Sequence, residues 1–349
     1  MSSFKIKSDD LMYIVNKIDC AKNDLLDIKI EKNKVVFHLH NNSFGINKRV
    51  DTNIETEGEA EFAIYLDDVR RVSCIKDDLL CSFDEKTNLF TIKSKDCLFK
   101  INTTQASYLK DDVSDAKKAY VSSSDLLGVL SKILSIIDIS SKTLVNVSSC
   151  IFLKKEDSKL KFYYYDGQIL YINAIPMDGD FVEQQIRSNS VKEMIKMLNK
   201  EEGERSKIMT NDRQIMLEDT YNYISCCSVD IPVPEFEPFI TEVKQNLTKI
   251  TMLLPYNDVV RVLFKKNTTL NINISQGRIL YYDNNIEKTF YGDFNKDVFG
   301  EKKIVLKSFN KFYKLCKDAV CKVYIDLCKN IYLYYKNNCE EVVFFVQSN

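Results

Sequence analysis

The sequence predicts an α+β protein made of three structurally similar domains, each with two helices packed on antiparallel sheets. Three observations predict it: six short apolar stripes of helical period, runs of period-two alternation between them, and a near-constant interval separating the stripes. Residues three and four apart share a helix face, whereas residues two apart share a strand face, so the two periods report two kinds of element.

The stripes run as follows. Over residues 9–22, Leu11, Ile14, Val15 and Ile18 fall on one helix face, and a second helix is expected over 66–76. Over 122–138 Leu126, Leu130, Ile133 and Ile137 line up, preceded by the serines at 122–124 as a start signal. Ser190 likewise opens a helix over 190–200 with Val191, Met194, Ile195 and Leu198 inward. A fifth helix is expected over 256–266 on Val259, Val262 and Leu263, and a sixth over 307–318 on Phe309, Phe312, Tyr313 and Cys316. Between them the period drops to two. Val35, Phe37 and Leu39 alternate with Val36, His38 and His40, and Leu160, Phe162 and Tyr164 with Lys161, Tyr163 and Tyr165. The same alternation recurs at Leu270, Ile272 and Ile274 and at Val323, Ile325 and Leu327. Turn residues at 31–34, 84–88, 157–159 and 336–338 separate the strands.

Asp10, Asp67, Asp125, Lys192, Asp258 and Asn310 occupy comparable points of the six helices, at intervals of 57, 58, 67, 66 and 52 residues. One helix followed by several strands, six times over, is an internal repeat, and two such units make one layered domain. Polar or proline-containing stretches at 111–118 and 238–247 place the linkers, giving domains at 1–116, 117–242 and 243–349.

Composition narrows the function. The 349 residues are 45% hydrophobic and 28% charged, an ordinary globular balance. No apolar run approaches the roughly 18 residues that span a bilayer, and residues 1–10 lack the apolar core of a secretory leader. A cytoplasmic protein without membrane attachment is expected. Eleven cysteines, an odd number with no CxxC pair, read as reduced thiols rather than a disulfide framework or metal site. The only histidines, His38 and His40, share a strand face and read as a solvent-facing pair. There is no Walker A loop, GxGxxG, HExxH or GxSxG, and only nine glycines. No catalytic residues, metal or cofactor are expected.

Net charge is −1, but its distribution is uneven. The six helix windows hold sixteen basic and ten acidic residues, a sum of +6, whereas the remainder holds 33 basic and 40 acidic, a sum of −7. Lys307, Lys311 and Lys314 form a stripe opposite the aromatic face of the sixth helix, and Arg261 with Lys265 and Lys192 with Lys196 do the same on the fifth and fourth. Acidic residues sit mostly in first turns, where the helix dipole favours them. Helices sharing one charge sign and one repeat position suggest a common surface facing a polyanion.

With these patterns in place, several segments resemble the bacterial DNA sliding clamp, the beta subunit of the replicative polymerase. Tyr164-Tyr165-Asp166-Gly167-Gln168-Ile169-Leu170 is similar to that family's TDGHRL segment. Ser225 to Ile240, with Val233-Pro234-Glu235-Phe236, resembles the segment closing its middle domain. Phe62 to Val69 resembles its second-helix entry, and Phe90 to Ile101 its paired closing strands. The resemblance extends in order over the whole chain. It implies three clamp domains per subunit and a head-to-tail homodimer forming a ring, with helices lining the hole and sheets forming the rim. The implied partners are duplex DNA, bound without sequence preference, and a DNA polymerase and clamp loader, bound through a short peptide motif. The implied peptide pocket is Val147, Tyr165, Gly167, Leu170, Pro234, Phe239, Val342, Phe344, Phe345 and Val346. The basic residues expected to face DNA are Lys17, Arg70, Arg71, Lys132, Lys192, Lys196, Arg261, Lys265, Lys307, Lys311 and Lys314. Tyr108, Leu263 and Phe264 are expected at the dimer interface. Gln168-Ile169 replaces the family's His-Arg, Phe344-Phe345-Val346 replaces its methionine-rich tail, and Phe239 is bulkier than the family pattern. These departures suggest a divergent clamp, of viral or phage type. A clamp-like factor serving transcription, a trimeric ring and an unrelated α+β interaction protein stay open as alternatives.

Overall fold

The computed structural model describes residues 1–18, 24–41, 45–73, 75–106, 113–137, 147–167, 169–198, 204–232 and 235–246 and, further on, 252–254, 270–275, 278–283, 286–291, 303–306, 315, 321–325 and 331–346. Over residues 1–227 the described elements repeat one motif, a strand, a helix and a strand meander. The first stretch holds β1 (Ser2–Lys7), α1 (Ser8–Ile18), β2 (Leu25–Glu31), β3 (Lys34–Asn41), β4 (Ile46–Thr52), β5 (Thr56–Glu57) and β6 (Ala60–Tyr65), then α2 (Leu66–Ser73), β7 (Asp78–Asp84), β8 (Leu89–Lys93) and β9 (Leu98–Asn102). The second holds β10 (Lys117–Ser122), α3 (Ser123–Ile136), β11 (Cys150–Glu156), β12 (Lys159–Tyr165), β13 (Ile169–Pro176), β14 (Asp178–Gly179) and β15 (Gln184–Arg187), then α4 (Ser188–Met197), β16 (Arg205–Asn211), β17 (Gln214–Glu218), β18 (Asn222–Cys227) and α5 (Phe236–Asn246). The last holds β19 (Met252–Leu254), β20 (Leu270–Ser275), β21 (Arg278–Asp283), β22 (Ile286–Tyr291), β23 (Lys303–Leu306), β24 (Cys321–Ile325), β25 (Ile331–Lys336) and β26 (Glu340–Val346).

Two compact units result. One comprises Met1–Leu127 with Met177–Val229, the other Gly128–Pro176 with Asp230–Asn349. Within the first, one sheet runs β5-β1-β7-β8-β9, and a second runs β14-β10-β16-β17-β18-β4-β3-β2-β6. Within the second, the orders are β11-β12-β13-β26-β25-β24-β19 and β22-β21-β20-β23. Among the described residues, two pairings join one of these three stretches to another. β4 pairs antiparallel with β18, Val50 opposite Asn222, and β13 pairs antiparallel with β26, Leu170 opposite Val343.

Local chemistry accounts for the elements. Leu11, Ile14, Val15 and Ile18 are buried along α1, and Asp9 and Asp10 sit in its first turn. Hairpins turn on residues that tolerate a left-handed backbone, Asn33 (φ 57°) between β2 and β3 and Asp157 (φ 53°) between β11 and β12. The core of the first unit is aromatic. Phe62 stacks on Phe83 at 4.3 Å, and Phe90 lies 4.9 Å from Phe62 and 6.4 Å from Phe4.

Two sequence expectations change here. His38 is 2% exposed rather than solvent-facing. Its Nδ1 lies 3.4 Å from Asp27 Oδ2, and its Nε2 faces Asn47 Oδ1, so neighbouring strands supply the polar partners that burial demands. The helix α5 (Phe236–Asn246) occupies most of the stretch expected as a linker. Pro238 is its third residue, in the first turn, where a missing N–H costs nothing because it would be unpaired anyway.

A buried charge network holds the first unit's helices to its larger sheet. Lys48 of β4 is fully buried, pairs with Glu193 of α4, and donates to the carbonyls of Lys17 (3.1 Å) and Ile18 (3.4 Å) at the end of α1. Lys17 in turn donates to the carbonyls of Met197 (3.1 Å) and Leu198 (3.2 Å) at the end of α4. Helix C-termini leave carbonyls without intrahelical partners and carry partial negative charge, so each lysine satisfies both needs at once. Replacing Lys48 with Met leaves the buried Glu193 carboxylate with Lys196 alone and two α1 carbonyls without their donor, and should cost about 3 kcal/mol in urea unfolding. The Lys48→Met/Glu193→Met double variant should recover most of that loss. A double variant no more stable than Lys48→Met alone would show that the pair is not what Lys48 serves.

Candidate functional site

The β11-β12-β13-β26 sheet has two buried faces, and they do different things. On one, the register aligns Phe152, Tyr163 and Ile172 across β11, β12 and β13, and Tyr165, Leu170 and Val343 across β12, β13 and β26. Phe236 and Ile240 of α5 cover this face, with Val147 and Tyr165 at its half-buried margin. The fold thus brings Val147, Tyr165 and Leu170 together, three of the ten pocket residues named from sequence. Val342 is not among them: it lies opposite Tyr171, on the other face of the sheet, because neighbouring strand residues point to opposite sides. Pro234 lies outside the described residues. Phe239 is in α5, and Phe344, Phe345 and Val346 end β26.

Gly167 forms the turn rather than the floor. Asp166 and Ile169 close the β12–β13 hairpin, with Asp166 N donating to Ile169 O (3.2 Å) and Ile169 N to Asp166 Oδ1 (2.8 Å). Gly167, at φ +90°, takes the left-handed position that such a short loop needs, and a Cβ there would meet nothing within 4 Å. The sequence reading missed Phe152, Tyr163, Ile172, Phe236, Ile240 and Val343. The signal for Tyr163 was visible: β12 is apolar at both parities, Leu160, Phe162 and Tyr164 on one and Tyr163 and Tyr165 on the other, as a strand buried on both faces must be.

The polar edge of the cluster is set by carboxylates. Tyr163 donates its hydroxyl to Glu156 (2.9 Å), and Glu237 of α5 lies 3.5 Å away. Burial, reinforced by these two acids, holds the Tyr163 phenol well above its ordinary range, and burial followed by Asp166 does the same more mildly for Tyr165. Burial pushes the Glu156 carboxyl up, but hydrogen bonds from Lys161 and Tyr163 outweigh it and leave it below its usual value. The tyrosines are therefore neutral donors and apolar walls.

On the opposite face, Glu340 is buried and gathers donors. Tyr171 (3.1 Å) and Asn173 (3.0 Å) reach its Oε1, and Lys132 of α3 pairs with the same oxygen. Lys132, expected to face DNA, therefore has its charge balanced. Other members of that set are also engaged. Lys17 is 8% exposed and spans from α1 to α4 as described, so it is not a free surface cation. Arg70 pairs with Asp67, and Lys196 with Glu193 at 3.1 Å. Arg71, 80% exposed with Asp68 at 3.7 Å, and Lys192 face outward. The exposed side of α1 presents Asp9, Asp10, Tyr13 and Asn16. Arg261, Lys265, Lys307, Lys311 and Lys314 lie outside the described residues, as do Tyr108, Leu263 and Phe264. Among the described residues no group of histidines, cysteines and carboxylates could hold a metal, and no helix is long and apolar enough to cross a membrane.

The order of strands and helices defines the class: this is the fold of the sliding clamps. No family model matches the sequence, and no curated protein matches it either. Solved structures do match over the full chain. The DNA polymerase sliding clamp from Bacillus subtilis superposes with a TM-score of 0.81 at 12% identity, covering 100% of this chain and 99% of that one. The Helicobacter pylori beta clamp bound to DNA ligase peptide gives 0.79 at 10% identity, covering 99% and 100%. The DNA polymerase III beta subunit from Thermotoga maritima gives 0.76 at 11% identity, covering all of both chains. The chain has the DNA polymerase III beta sliding-clamp fold, at the sequence distance of a divergent clamp.

Proposed function

We propose that this chain is a DNA sliding clamp, a non-enzymatic subunit that closes into a ring around duplex DNA and tethers a polymerase and other partners to it. One observation supports this beyond the fold itself. Where repeats join, the third strand of one meander pairs with the last strand of another, β4 with β18 and β13 with β26. By the same rule β22 and β9 are left over, and each is the last strand of its sheet. A second copy satisfies both: β22 of each subunit meets β9 of the other. Such a head-to-tail contact either closes or runs on, and in this reading two copies of the chain close it.

The β9 edge is suited to that pairing. Ser94 N donates to Cys97 O and Thr103 N to Asn88 O, bracketing the β8–β9 ladder. Alternation then turns the backbone N–H and C=O groups of Leu98, Lys100 and Asn102 away from β8, toward the open edge. Proline at position 100 removes one outward donor without touching the ladder to β8. Wild-type protein loaded on a nicked circular plasmid should co-elute with it through gel filtration and be lost once the plasmid is linearised. Lys100→Pro should sediment as monomer and fail to co-elute. Retention that survives linearisation would remove the sliding-ring mechanism, and sedimentation mass separates a dimer from a trimer.

The DNA-facing charge is carried unequally. The first four helix windows sum to +1 and the last two to +5. Among the described members of the expected DNA-facing set, Lys17, Arg70, Lys132 and Lys196 are engaged within the chain. Phosphate contacts therefore fall mainly to Arg261, Lys265, Lys307, Lys311 and Lys314, and contacts of this kind carry no sequence preference. Neutralising Arg261, Lys311 and Lys314 to Gln should weaken binding to linear duplex and flatten the log–log salt slope by about 2–3. Neutralising Arg71 and Lys192 should do less, and equal effects from the two sets would contradict this division.

The Tyr163–Tyr165–Leu170 face is the proposed partner site, where polymerase or loader peptides dock. The Helicobacter pylori neighbour holds a DNA ligase peptide. That peptide, titrated by calorimetry, should bind this chain weakly, and Val147→Asp at the site's margin should reduce its affinity at least tenfold. Unchanged affinity would move the partner site elsewhere.

A further inference from the structure

The ring held against Tyr163 comes from the chain itself. Phe236, the first residue of α5, lies flat on Tyr163 with centroids 5.3 Å apart and planes 6° from parallel. Phe152 (5.8 Å, 61°) and Tyr165 (6.2 Å, 69°) present their edges to it. Three aromatic side chains on a rigid sheet thus surround one phenyl group in the stacked and edge-on geometries that aromatic pairs prefer. Of the described side chains of α5, Phe236 and Ile240 are buried, while Glu237, Pro238, Thr241 and Gln245 are exposed. Tyr163 is fixed independently of α5, because its hydroxyl donates to Glu156 of the sheet, and the Glu237 contact is the longer of the two.

We propose that Phe236 is an internal occupant of the partner site, and that an incoming peptide bearing an aromatic residue displaces it and takes its place on Tyr163. This rests on reading that face as the partner site. The exchange replaces one stacked ring with another, so little apolar surface is exposed overall. Its cost is the opening of α5, which lowers apparent affinity by the fraction of molecules that are open. Its gain is discrimination: an aliphatic anchor fills the space without restoring the stack, so peptides lacking an aromatic residue compete poorly with Phe236. A filled site also avoids a standing apolar patch on the free protein.

The test compares wild type, Phe236→Ala and Phe236→Leu, titrated with N-acetyl-phenylalanine amide, N-acetyl-alanine amide and benzene, and followed by aromatic NMR shifts. Phe236→Ala should bind the phenylalanine amide at least ten times more tightly than wild type and ignore the alanine amide. Phe236→Leu should fall between, and it carries the comparison if the alanine variant does not fold. Equal affinity of wild type and variants for the phenylalanine amide overturns the proposal. So does binding of benzene alone, because a sealed core void admits benzene but not a ligand whose amides must stay in water. The Val147→Asp peptide titration separates the two levels. Unchanged peptide binding there removes the partner-site reading and the displacement with it. Val147-dependent binding together with equal phenylalanine-amide affinities removes the displacement alone.

Discussion

The first unit depends on a buried ammonium group. Lys48 sits in the middle of β4, on the face that meets the helices, with no exposure to water. A buried cation is tolerated only when paired and hydrogen-bonded, and Lys48 has Glu193 for charge and two α1 carbonyls for its remaining protons. Its partners come from residues near positions 17 and 193, so one side chain relates three elements distant in sequence. Lys17 repeats the device in the other direction, from α1 to the end of α4. Apolar packing alone would let these helices slide, whereas a charge that must find one carboxylate and particular carbonyls fixes their register on the sheet.

The second unit uses the same logic with an acid at the centre. Glu340 opens β26 and gathers Tyr171, Asn173 and Lys132, which ties α3 to the strand pair β13–β26. In both units the buried charge lies beside the strand pairing that joins one repeat to another. Hydrogen bonds along a sheet are indifferent to a two-residue slip, and buried polar groups are not. The chain therefore places its least forgiving interactions where a register error would be most damaging to the repeat. The opposite faces of these sheets carry the other chemistry, the aromatic cluster under α5 and the His38–Asp27–Asn47 group.

What was legible in the sequence followed from short-range rules. The stripe at Leu11, Ile14, Val15 and Ile18 gave α1 because helix period is local, and Asn33 and Asp157 gave turns because their backbone tolerance is local. What was not legible depended on partners far away. Lys17 reads as a surface cation until Met197 is placed above it, and His38 as a solvent residue until Asp27 and Asn47 flank it. α5 was hidden by Pro238, since a proline in a first turn and one in a linker look alike in sequence. In the candidate site, Tyr165 and Leu170 were named through resemblance and share one face of the sheet, but Val342 was assigned without regard to parity, and Val343 is the residue whose side chain shares that face.

The pairing of β4 with β18 also has a consequence for how the chain is made. Val50 leaves the ribosome some 170 residues before its partner Asn222. At ordinary elongation rates of about 5–20 residues per second, β4 waits roughly ten to thirty seconds with one side unoccupied. An open strand edge in that interval is an invitation to aggregate, and charged side chains, lysine above all, discourage it. β4 carries Lys48 and Arg49 side by side. The lysine that anchors the finished unit is thus also the nascent chain's guard, charged and hydrated while the edge is open and withdrawn from water only when the rest of its sheet arrives.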